Sequence, residues 1–120
     1  MMTITVCKAK LNRARVTSAK VKYRGSLTVD AEILEKLNVY EYEKVLVVNL
    51  TNRKRFETYI IGGERGRREI GLNGGAALLG RVGDEIGFVA WAQIDERSAN
   101  NFKPKVVELL DNGTIIELEK

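Results

Sequence analysis

Apolar and polar residues alternate through Thr3-Ile4-Thr5-Val6-Cys7, the period of a half-buried strand, and the pattern predicts extended chain to about Leu11. The β-branched residues of Ala14–Thr17 predict a short second strand, and Val21 and Tyr23 carry an extended pattern as far as Gly25. The period then changes. Ile33, Leu34 and Leu37 share a helical face behind Asp30, which suits an N-cap, with Glu32 in the first turn and Asn38 at the end. Lys44 to Leu50 is nearly continuous in apolar residues, as expected of a central strand. Thr51–Lys54 reads as a turn and Arg55–Ile61 as the returning strand. Beyond the breaks at Gly62, Gly63 and Gly66, Ile70–Leu72 predicts a brief strand, Asn73-Gly74-Gly75 a turn, and Ala76–Leu79 one helical turn closed by Gly80. Asp84–Ile94 predicts a long strand carrying Phe88 and Trp91, and Asp95–Phe102 a polar loop. Asp111-Asn112-Gly113 between Val106–Leu110 and Thr114–Leu118 predicts a hairpin. About six or seven strands and two short helices imply one mainly β domain over residues 1–120, a small barrel, because closure removes exposed strand edges.

Composition narrows the chemistry. The chain of 120 residues is 44% hydrophobic and 30% charged, a normal globular balance. No apolar run approaches the roughly 20 residues that span a bilayer. The start, MMTITVCKAK, lacks the features of a signal peptide, so a cytoplasmic protein with no membrane partner is expected. The single cysteine, Cys7, excludes an internal disulfide and reads as a small core residue. The 20 Lys and Arg exceed the 16 acidic residues by four, with basic clusters at Lys8–Arg24 and at Arg65, Arg67 and Arg68. Such clusters attract nucleic acid or a small anion, or form a solvated basic face. Few exposed aromatics are evident to stack bases, which counts against nucleic acid as a partner.

The chain has no histidine. That removes Ser-His-Asp and Cys-His catalysis, the usual neutral general base, and, with a single cysteine, any zinc site of ordinary type. The glycines from Gly62 to Gly75 match neither the P-loop nor the dinucleotide spacing. Chemistry must come from Lys, Arg, Tyr, Ser, Thr, Asp or Glu, or from a cofactor.

The order of short segments resembles one family. Lys10-Leu11-Asn12-Arg13, Val16-Thr17, Tyr23-Arg24-Gly25-Ser26 and Val29-Asp30 come first. Asn49-Leu50-Thr51-Asn52, Arg55-Phe56, Thr58-Tyr59, Glu64-Arg65-Gly66, Asn73-Gly74, Ala76-Ala77 and Val82-Gly83-Asp84 follow. No piece is specific alone, but their joint order over residues 2 to 111 is similar to the pyruvoyl-dependent aspartate 1-decarboxylases. The resemblance implies a six-stranded double-psi β-barrel with short helices, a homotetramer with active sites between neighbouring subunits, and decarboxylation of L-aspartate to β-alanine for pantothenate synthesis. It also implies a covalent pyruvoyl cofactor made from Ser26, with no pyridoxal phosphate and no metal.

Decarboxylating an amino acid leaves a carbanion that needs an electron sink, and a ketone joined to the substrate amine as a Schiff base supplies one. The resemblance implies how Ser26 becomes that ketone. Its hydroxyl attacks the Gly25 carbonyl carbon and an N-to-O acyl shift gives an ester. β-Elimination then frees Gly25 as a carboxylate, and hydrolysis of the resulting dehydroalanine leaves the pyruvoyl group, dividing the chain into 1–25 and 26–120. Glycine suits the strained turn this attack needs. Further site roles follow from the resemblance: Thr58 stabilises the scissile carbonyl, Tyr59 returns a proton to the substrate carbon, Arg55 and Lys10 hold carboxylates, and Asn73 lies at the site. The backbone of Gly74, Gly75, Ala76 and Ala77 adds anion contacts. Two cations suit either dicarboxylic amino acid, aspartate or glutamate. On a regular strand Arg55 and Tyr59 share a face that Thr58 does not, so a bulge, a bend or a second subunit must unite them.

Three residues depart from the family pattern: Asn12 stands where some members have histidine, and Lys20 and Arg24 where some have acidic residues. They bear on the rate and pH dependence of cleavage and on the need for a maturation factor. An unprocessed relative that keeps the fold and an intact Ser26 is the alternative within the family.

Overall fold

The computed structural model describes residues 1–118 and is mainly β. Its strands are β1 (Thr3–Arg15), β2 (Ser18–Lys20), β3 (Ser26–Asp30), β4 (Lys44–Asn49), β5 (Arg55–Gly63), β6 (Ile70–Asn73), β7 (Glu85–Asp95), β8 (Lys105–Leu109) and β9 (Ile115–Leu118). Among the described residues all nine join one sheet in the order β2-β6-β3-β5-β4-β7-β1-β8-β9. The pairs β2/β6, β3/β5 and β1/β8 are parallel and the rest antiparallel. One α-helix, α1 (Ala31–Leu37), and two 3₁₀ turns, Gly74–Leu78 and Glu96–Asn101, complete the chain.

The local signals act as their chemistry requires. The Asp30 carboxylate accepts from the Glu32 N–H at 2.8 Å, and Asn38 closes α1 in the left-handed region at φ 54°. Ile33, Leu34 and Leu37 turn the apolar face of α1 inward. Leu11, Leu27, Val45, Ile60, Ile86 and Phe88 meet it from the strands with virtually no exposure. Each such side chain is worth about 1.5–3 kcal/mol relative to exposure. The hairpin forms at Asp111-Asn112-Gly113, with Gly113 at φ 89° and Leu109 opposite Ile115.

Several elements differ from expectation. The segment Ala14–Thr17 is not a separate strand; β1 runs on to Arg15, and β2 begins at Ser18. Two irregularities in β1, between Cys7 and Ala9 and between Leu11 and Ala14, absorb the extra residues against β7. A side chain at Gly87 would come within 2.5 Å of the Leu11 carbonyl oxygen, so the second irregularity needs a glycine opposite it. Cys7 is only half-buried beside the first irregularity and is not a core residue. Val21–Gly25 bends instead of extending, and the polar stretch after Asp95 winds into a 3₁₀ turn. The largest omission is β3, a strand with all five residues buried. It pairs with β5 on one side and β6 on the other, and that position holds Ser26 in place.

Candidate active site

Three neighbouring strands bring the site together. β3 runs antiparallel to β6 with Ser26 opposite Asn73, and parallel to β5 with Leu27 beside Ile60. Continuing the second register by one step sets Ser26 beside Tyr59. Tyr59, Ser26 and Asn73 therefore form one row across β5, β3 and β6. In a pleated sheet, residues at one level share a face.

Ser26 is fully buried and polar, and its hydrogen bonds are accounted for. Its hydroxyl donates to the Arg24 carbonyl at 3.0 Å and accepts from Asn73 Nδ2 at 3.0 Å. Asn73 Nδ2 also donates to Thr28 Oγ1 at 2.8 Å, which holds the amide flat across Ser26 and Thr28. Thr28 lies two residues beyond Ser26 on the same face of β3. Among the described residues no titratable side chain hydrogen-bonds Ser26 Oγ. A base drawn from the side chains is thus not part of this arrangement, and the hydroxyl is oriented by an amide and a backbone carbonyl.

The turn after Asn73 presses on the loop that precedes Ser26. Gly74 has φ 60°, and a side-chain carbon there would lie 2.5 Å from both Gly25 N and the Tyr23 carbonyl oxygen. Real Cβ atoms do not approach backbone so closely, so Gly74 allows the Tyr23 and Gly25 backbone to sit against the turn. Gly75 is open, with no atom near the position of a side chain, and Ala76 and Ala77 are buried in the 3₁₀ turn.

A cleft of about 580 Å³ opens over this row, lined by Tyr23, Arg24, Ser26, Tyr42, Tyr59 and Ile61. The rings of Tyr42 and Tyr59 lie 6.2 Å apart, tilted by 41°. Tyr42, Tyr23 and Ile61 were not singled out as site residues from the sequence. Tyr23 lies two residues before the recognisable Gly-Ser pair. Tyr42 enters through a turn contact with β5 that carries no local signature. Arg24, not named among the site residues from the sequence, is the charged residue lining this cleft.

Lys10 and Arg55 come together elsewhere. They line a second cleft of about 530 Å³ with Asn12, Leu50, Val89 and Trp91. β4 and β5 pair without a break from Val48–Arg55 to Lys44–Tyr59, so no bulge reorients β5 here. Arg55 and Tyr59 share a face but stand four residues apart, about 13 Å at roughly 3.3 Å per residue. Within one chain Arg55 is well along the strand from Tyr59, and both cations line a different cleft from Ser26. Thr58 lies opposite buried Val45 on the other face of β5. Among the described residues its hydroxyl makes no hydrogen bond to the Tyr23–Ser26 loop.

The basic clusters are partly neutralised. Lys8 pairs with Glu43, Arg13 with Glu85 and Glu108, Arg15 with Asp111, Arg65 with Glu35, and Arg67 with Glu64. Arg68 bridges Asp30 and Glu32 and donates to the Gly113 carbonyl at 2.8 Å. Burial alone would raise the Asp30 carboxyl. The backbone N–H groups of Glu32, Arg68 and Gly66, with the Arg68 guanidinium, outweigh that and hold it below the usual carboxylate value. This network locks the far end of β3, four residues from Ser26. Among the described residues no group of three or more His, Cys, Asp or Glu is gathered to hold a metal.

Comparison with known proteins identifies the family of the chain. A model of the aspartate decarboxylase family matches residues 2–116. The aspartate 1-decarboxylase of Leptospira biflexa serovar Patoc is 48% identical over 113 residues, covering 93% of this chain and 96% of that protein. That of Sulfurimonas denitrificans is 48% identical over 117 residues, 98% of this chain and 97% of that protein. That of Staphylococcus aureus is 44% identical over 117 residues, 98% and 92% respectively. With the match running through every strand that builds the Ser26 cleft, the chain belongs to the aspartate decarboxylase family.

Proposed function

We propose that this protein converts L-aspartate to β-alanine and carbon dioxide, supplying pantothenate synthesis in the cytoplasm, with a pyruvoyl group made from its own Ser26. The observation that carries the reading is a buried serine hydroxyl held by Asn73 and the Arg24 carbonyl, following a Gly25 whose backbone is tucked against Gly74, and opening on a cleft beside Tyr59.

The residues fit a pyruvoyl precursor. Glycine precedes the serine, and the hydroxyl is shielded from water and held in one orientation. In the cleavage step the Ser26 Oγ forms a bond to the Gly25 carbonyl carbon as the Gly25–Ser26 C–N bond breaks, and the hydroxyl proton passes to the departing nitrogen. Loss of the Ser26 α-proton with the Cβ–O bond then releases Gly25 as a carboxylate. Water replaces the nitrogen as ammonia to leave the ketone, and no oxidant is consumed. In this reading Thr58, the chain neighbour of Tyr59 on β5, supports the scissile carbonyl once the loop before Ser26 brings it within reach. The ketone, once present, supplies the electron sink for loss of carbon dioxide from an α-amino acid. Tyr59 stands next to that position and serves as the proton donor to the substrate carbon.

Lys10 and Arg55 bind carboxylate from the second cleft. Their separation from Ser26 within one chain supports an assembly in which one subunit's Lys10–Arg55 cleft faces a neighbour's Ser26 cleft, as in a homotetramer. Trp91 and Leu50, each nearly half exposed beside that second cleft, suit burial in such an interface.

Denaturing intact-mass measurement tests the reading. Two chains, residues 1–25 and a pyruvoyl-capped remainder, are expected, along with release of β-alanine from aspartate and a slower or absent reaction with glutamate. Ser26→Ala should give one folded, uncut, inactive chain. A wild-type chain that stays whole after prolonged warming, alone or with cell extract as a source of a maturation factor, would sink the proposal. So would decarboxylase activity in Ser26→Ala.

A further inference from the structure

We propose that Tyr42 is a positioning residue that sets the place of the Tyr59 phenol over Ser26; the proposal rests on the decarboxylase reading above. The starting point is backbone geometry. Among the described residues four non-glycine positions have positive φ: Asn38, Tyr42, Arg53 and Arg68. Asn38 closes a helix, Arg53 lies in the β4–β5 turn, and Arg68 is bound to Asp30 and Glu32. Tyr42, at φ 71°, takes the third position of the turn closed by the Glu43 N–H to Tyr40 carbonyl bond, and a bulky aromatic in the left-handed region there is an outlier. Residues held in such conformations cluster at functional sites.

Burial does not explain an aromatic residue here, because Tyr42 is 71% exposed. Its hydroxyl makes no hydrogen bond among the described residues. The ring's recorded partner is Tyr59, at 6.2 Å and 41°, within the range of a tilted aromatic pair. Both rings line the Ser26 cleft.

The turn that carries Tyr42 is fastened to β5 from three directions. Tyr42 N–H donates to the Ile60 carbonyl at 2.7 Å, Ile60 N–H donates to the Glu43 carbonyl at 3.0 Å, and Gly62 N–H donates to the Glu41 carboxylate at 2.9 Å. Glu43 is in turn held by Lys8 Nζ at 2.8 Å. These bonds force the unusual φ and aim the Tyr42 ring at its neighbour on β5. Tyr59 faces out from the sheet and, without that wall, could leave its rotamer for another staggered well. A proton donor must stay within hydrogen-bond reach of the carbon it serves, so a ring that confines it acts on the chemical step.

The test compares Tyr42→Gly, Tyr42→Phe and wild type, each after complete cleavage at Gly25–Ser26. Glycine accepts the left-handed backbone, so Tyr42→Gly should be no less stable to heat than wild type. Its kcat should nevertheless fall roughly three- to tenfold, the size of an aromatic contact, with little change in KM. Tyr42→Phe should restore kcat, because the ring and not the hydroxyl makes the contact. The ring-proton resonances of Tyr59 in tyrosine-labelled protein should shift in Tyr42→Gly and not in Tyr42→Phe. Unchanged kcat in Tyr42→Gly, a loss confined to KM, an equal loss in Tyr42→Phe, or unmoved Tyr59 resonances would overturn the proposal. A cleaved wild type that releases no β-alanine would instead refute the decarboxylase reading, and the Tyr59 resonances would still decide the contact.

Discussion

Replacing Gly74 with alanine probes the contact between this turn and the loop before Ser26. The new Cβ would meet Gly25 N and the Tyr23 carbonyl oxygen at 2.5 Å and Gly25 Cα at 2.8 Å, all backbone atoms that cannot swing aside. Alanine at φ 60° adds a left-handed penalty of roughly 1–2 kcal/mol. Overpacking against fixed neighbours adds about 1–3 kcal/mol, for a total of roughly 2–5 kcal/mol. For a chain of this length that is a melting temperature lower by on the order of 10 °C or more. Gly75 is the internal control, because nothing lies within 4 Å of a side chain placed there and its φ is not positive. Gly75→Ala should stay within about 0.5 kcal/mol. Melting is best measured in a Ser26→Ala background at one protein concentration, so that neither cleavage nor assembly differs between samples. With Ser26 restored, intact-mass time courses should show slower cleavage in Gly74→Ala, because the loop holding the scissile bond must move away. Equal melting and equal cleavage for the two alanine variants would refute the reasoning.

Asn73→Ala leaves the Ser26 and Thr28 oxygens without their donor in a buried site, so it should cost about 1–3 kcal/mol and slow cleavage; chemical denaturation and mass analysis measure the two effects. The Asp30 carboxyl is lowered in the fold, so it contributes stability that is complete above its ordinary value of 3.8 and is lost as pH falls from there through the lower folded value. Asp30→Asn should therefore flatten the acid side of the stability profile below about pH 4, and an unchanged acid limb would refute its role. Arg55→Lys keeps the charge but loses two-point binding, so the apparent KM for aspartate should rise, and an unchanged value would remove Arg55 from substrate binding.

Much of the local structure was legible in the chain. Asp30 and Asn38 mark the ends of α1, Asn112-Gly113 marks the hairpin, and the apolar run after Lys44 marks a central strand, because caps, turns and periodicity act over a few residues. The family, too, was legible, as an order of short segments. β3 was not, because a short buried strand next to a Gly-Ser bend resembles a loop until both neighbours are in place. Tertiary structure alone decided that Asn73, 47 residues from Ser26, donates to its hydroxyl. It alone decided that Lys10 and Arg55 gather in a cleft apart from Tyr59, and that a clamped turn sets Tyr42 over Tyr59. Each depends on strand register between distant segments, which is selected by how the whole sheet buries its apolar face and leaves no local mark in the sequence.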